Sequence, residues 1–205
     1  MEPPDGTVPG AADWFRRFTA RYNGSAGSPL TELGLFYERH RKFEEYGQRS
    51  DPGHPEYTDE EWNRVLEILF GELAGDLGLV QAADSEDRTQ LAWYLPGVTD
   101  RPTVVIRATS EATPAILSHD LAELSRLGSD LSVFLMYPDY PNPAGATTLA
   151  GAVRAWTGQI EERLRELHPP REILTLMISA YSFDLPAPWQ GFVWKPAART
   201  LEAAK

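Results

Sequence analysis

The residues closest to a chemical constellation are Ser110-Glu111, Ser118-His119-Asp120 and the carboxylates Glu72, Asp87 and Glu111 around them. A histidine beside a carboxylate suits acid/base work, and a serine beside both suits a nucleophile. Spacing argues against that use. Neighbouring residues of a helix point about 100° apart, so His119 and Asp120 cannot readily bond to each other, and an exposed polar turn is expected. No Gly-x-Ser-x-Gly elbow precedes a helix, which argues against a serine hydrolase. Neither Gly-x-Gly-x-x-Gly nor a P-loop occurs, so dinucleotide and P-loop phosphate binding have no support.

Metal ligation by soft donors is equally poor. The chain has no cysteine, which excludes disulfides and thiolate sites, and its four histidines (His40, His54, His119 and His168) lie far apart without ligand spacing. Tyr181, Phe183, Trp189 and Trp194 could form a binding platform, but such residues more often cover an open sheet, and that role is expected here. Trp14, Phe15 and Phe18 are likewise expected to pack on the domain rather than dock a partner.

The elements that must hold these residues are readable from periodicity. Residues 1–12 carry Pro, Gly and small side chains and read as a disordered tail, leaving 13–205 as a single domain. Two helices follow, one around Trp14–Phe18 ended by Asn23-Gly24-Ser25 and one from Leu30 to Tyr46 ended by Gly47, and then a loop over 48–57. Thr58-Asp59-Glu60-Glu61 has the form of a capping box, and Trp62, Val65, Leu66, Leu69, Leu73 and Leu77 give the helix 58–77 an apolar stripe. A short strand near 79–82 leads to strands at 89–95 and 103–107, expected as an antiparallel hairpin. Thr113-Pro114 starts a helix over 114–127, and the apolar run 131–137 is the kind of strand buried on both faces. A strand, helix, strand sequence implies that 131–137 runs parallel to 103–107. After a Pro-rich loop over 138–146, a helix over 148–167, a strand over 173–179 and an edge strand over 189–194 complete a mixed sheet.

Composition bounds the partners. A formal net charge of −11 repels phosphate backbones, so nucleic acid is not the expected partner, and the acidic field suits a basic protein. No apolar run reaches the ~20 residues of a membrane span, and the first residues lack the pattern of a signal peptide. A cytoplasmic, bacterial protein is expected, with basic residues that are mostly Arg, as in a GC-rich genome.

The order helix 58–77, strand 79–82, strands 89–95 and 103–107, helix 114–127, strand 131–137 is αβββαβ. It resembles the core of the PD-(D/E)XK, or restriction-endonuclease-like, superfamily, over about 80 residues of layout. The resemblance implies an Asp on the second core strand and Glu-x-Lys on the third, where two carboxylates hold Mg²⁺ or Mn²⁺ and the Lys helps activate water. Here Gln90 stands for the Asp, Arg107 for the Glu and Thr109 for the Lys. A guanidinium repels a divalent cation and an amide binds it weakly. The resemblance therefore implies a domain without catalysis or cofactor, used for binding, scaffolding or regulation. Two other readings stand beside it. One is a metal-dependent nuclease whose carboxylates have migrated to Glu72, Asp87 or Glu111; the other is an α/β protein of unknown role without nuclease ancestry.

Overall fold

A computed structural model describes residues 8–45, 59–81, 90–98, 100–109, 113–136, 148–178 and 185–205. Among them are five helices, α1 (Ala11–Ala26), α2 (Glu32–Glu45), α3 (Asp59–Asp76), α4 (Pro114–Leu127) and α5 (Leu149–Leu167). The strands are β1 (Val80–Gln81), β2 (Gln90–Tyr94), β3 (Val104–Thr109), β4 (Leu131–Met136), β5 (Ile173–Met177), β6 (Gln190–Lys195) and β7 (Thr200–Ala203). They form one mixed sheet in chain order, β1 to β7. Pairing is antiparallel at β1–β2 and β2–β3, parallel at β3–β4 and β4–β5, and antiparallel again at β5–β6 and β6–β7.

Local chemistry accounts for the boundaries. The Thr113 hydroxyl accepts the Ile116 amide at 3.2 Å, Pro114 fills the first helical position, and Gly128 ends α4 with φ of 63°. Thr148 caps α5 in the same way, accepting from the Gly151 amide at 3.1 Å. Gly78, at φ of 69°, turns the chain out of α3 while the Leu79 amide bonds back to the Ala74 carbonyl. The capping box at Thr58 lies outside the described residues. β4 and β5 are buried at every position, as near-continuous apolar runs require, because helices cover both faces of the sheet.

Strand alternation divides the core in two. Trp93, Val104, Ile106, Leu131, Val133, Leu135, Leu174, Leu176 and Val193 meet α1, α2 and α3 on one face. Val105, Phe134, Met136, Ile173, Met177 and Trp194 meet α4 and α5 on the other. The first face is aromatic: Phe18 stacks on Trp14 and Phe70 at centroid distances of 5.7 and 5.4 Å and meets Trp189 edge-on at 4.9 Å. Close approach here depends on Gly191, since a Cβ at that position of β6 would lie 2.7 Å from the Phe15 ring.

Two expectations need correction, and both ends of the first helix shift. The strand at 189–194 is not an edge, because β7 pairs along β6 from Lys195 opposite Thr200 to Phe192 opposite Ala203. A four-residue strand after Pro196 gives little periodicity to read, and its tight turn puts Arg199 at φ of 56°. Asp120, expected on an exposed turn, is 4 % exposed. Helix α1 starts at Ala11, within the span whose composition suggests a tail, with Ala11 buried and Val8 packed on the core, and it runs through the Asn23-Gly24-Ser25 expected to end it as far as Ala26. No helix among the described residues is long and apolar enough to cross a membrane.

Candidate functional site

The carboxyl end of β3 and the start of β2 bring the three signature positions together in the backbone. Gln90 is the register partner of Arg107, and Thr109 follows two residues along β3, on the same face as Arg107. That face belongs to α4 and α5, since Val105, two residues earlier, packs in their cluster.

Asp120 completes the arrangement from α4. Leu117, Leu121 and Leu124 seat the helix against the sheet, and Asp120 lies on the border of that stripe, three residues after Leu117. Arg107 Nε donates to Asp120 Oδ1 at 2.5 Å, with the two side chains only 11 % and 6 % exposed. His119 remains exposed, as the turn between adjacent helical residues demands. The expected separation of His119 from Asp120 therefore holds, but the aspartate is turned into the protein and faces a strand.

The pair is an ion pair in a low-dielectric setting. Desolvating two charges is expensive, and their mutual attraction offsets that cost only with close, well-aligned geometry. A guanidinium hydrogen-bonded this closely gives Asp120 a cation of its own. Nearby on α4, Glu123 is held below the usual carboxylate range, chiefly by a hydrogen bond from Arg126, with smaller contributions from the charges of Arg126, His119 and Arg107.

Of the carboxylates considered as substitutes, only Glu72 lies among the described residues. Glu72 is exposed on α3 and bonded to Arg21 Nη1 at 3.2 Å. Because α3 packs on the opposite face, the sheet stands between Glu72 and Arg107. Asp87 and Glu111 lie outside the described residues, as do Ser110, the loop 138–146, Tyr181 and Phe183. Among the described residues no group of three or more His, Asp or Glu side chains has the arrangement to hold a metal ion.

The aromatic platform is divided in the same way. Trp189 is buried against Phe18 and Tyr22 on the α1 side, whereas Trp194 is buried in the α4–α5 cluster. Both cover the sheet, and both indole N–H groups lack a hydrogen-bond partner among the described residues.

Sequence reasoning missed Asp120 as the partner of Arg107. The signal was a charged residue bordering the Leu117, Leu121, Leu124 stripe, together with an arginine at a core-facing position of a strand. Compared with known proteins, the chain matches no family model and no curated sequence.

Proposed function

We propose that this chain is a catalytically silent, nuclease-like domain that works by binding another protein. The observation that carries the reading is the buried Arg107–Asp120 pair at the strand position where the nuclease layout calls for a metal-binding Glu. A metal there would have to displace or coexist with a guanidinium already bonded to Asp120, and Coulomb repulsion opposes both. The order α3, β1, β2, β3, α4, β4, with β4 parallel to β3, supports the nuclease-like layout. The net charge of −11 supports a basic protein as partner rather than a nucleic acid. The migrated-site nuclease has less support, because Glu72 lies across the sheet from Arg107 and Thr109.

Titration with Mg²⁺ and Mn²⁺, followed by calorimetry and thermal shift, tests the reading. The natural chain should give neither heat nor a shift at millimolar metal. The variant Gln90→Asp, Arg107→Glu, Thr109→Lys removes the guanidinium and adds two carboxylates near Asp120, and it should bind metal at least weakly. A well-folded triple variant that binds no divalent metal would remove the main support for the nuclease-like reading.

A further inference from the structure

We draw no further inference here: the strongest candidate, the cleft of about 330 Å³ at the amino ends of β4 and β5 beside the start of α1, rests on a helix N-terminus with no second observation pointing to a ligand, because Asp130 is bonded to Arg101 and Arg171 and Glu172 to Lys195 and the Ala11 amide.

Discussion

The two faces of the sheet are built on different terms. Against α1, α2 and α3 the strands present apolar and aromatic side chains, sealed by the stacked rings of Trp14, Phe18 and Phe70. Against α4 and α5 the apolar cluster around Trp156 and Phe134 is interrupted by polar groups: buried Asp120 with the largely covered Arg107, Ser132 bonded to Ser129 at 2.7 Å, and Thr175. The first face is held by apolar burial, with Arg21 pairing to Glu72 and Asp76 at its rim. The second keeps charged and polar groups that an apolar core of the same shape could replace, so their presence calls for a reason beyond stability. On the proposed nuclease-like reading, the Arg107–Asp120 pair occupies the place of a metal-binding carboxylate.

The largest effect should come from breaking the ion pair one partner at a time. Asp120→Ala removes this carboxylate from a largely buried guanidinium and should cost up to about 3–5 kcal/mol, measured by denaturant unfolding. The double variant Arg107→Met, Asp120→Leu should recover most of that loss, since a buried pair replaced by apolar groups is often neutral or stabilising. If Asp120→Ala unfolds like the natural chain, the pair is not energetically buried and the contrast between the faces fails.

Truncation of the apolar stripes should affect the two faces alike. Leu69 on α3 is 3 % exposed and Leu121 on α4 is fully buried. Each Leu→Ala change should cost about 2–5 kcal/mol through lost transfer energy and a cavity. A loss below about 1 kcal/mol at either position would show that its helix does not seal the sheet.

Acid should have the smallest effect. Asp13 on α1 is held below its ordinary value chiefly by the hydrogen bond from Arg17, as Glu123 on α4 is by that from Arg126. A carboxyl whose folded pKa is depressed adds stability above its unfolded pKa and loses it as pH falls through the folded value. That window lies below about pH 4, and both groups sit at the surface, where screening keeps the contribution small. Carboxyl NMR titration should give both midpoints below those of reference peptides, and Arg126→Ala should raise Glu123 alone. A Glu123 midpoint unchanged by Arg126→Ala would contradict the assigned cause.

Much of this architecture was legible in the sequence because local signals agreed. Thr113-Pro114 and Gly128 mark α4, Thr148 marks α5, and the apolar runs at 131–136 and 173–177 can only be central strands. Parallel pairing of β3 with β4 followed from the intervening helix, and Leu69, Leu121, Val133 and Ile160 are buried as their spacing required. What escaped was long-range. β7 is too short for periodicity and takes its identity from pairing with β6. Asp120 looked like surface because its sequence neighbour is His119, whereas its partner is 13 residues away on β3. An ion pair between a helix and a strand leaves no fixed spacing in the sequence.

The proposed absence of nuclease activity rests on the Arg107 guanidinium standing where a metal-binding carboxylate would be needed. It is tested most directly by incubating the purified chain with DNA and RNA in Mg²⁺ or Mn²⁺ and following cleavage over time. No cleavage above a metal-free control is expected. Metal-dependent cleavage by the natural chain, abolished by Asp87→Ala or Glu111→Ala, would contradict it.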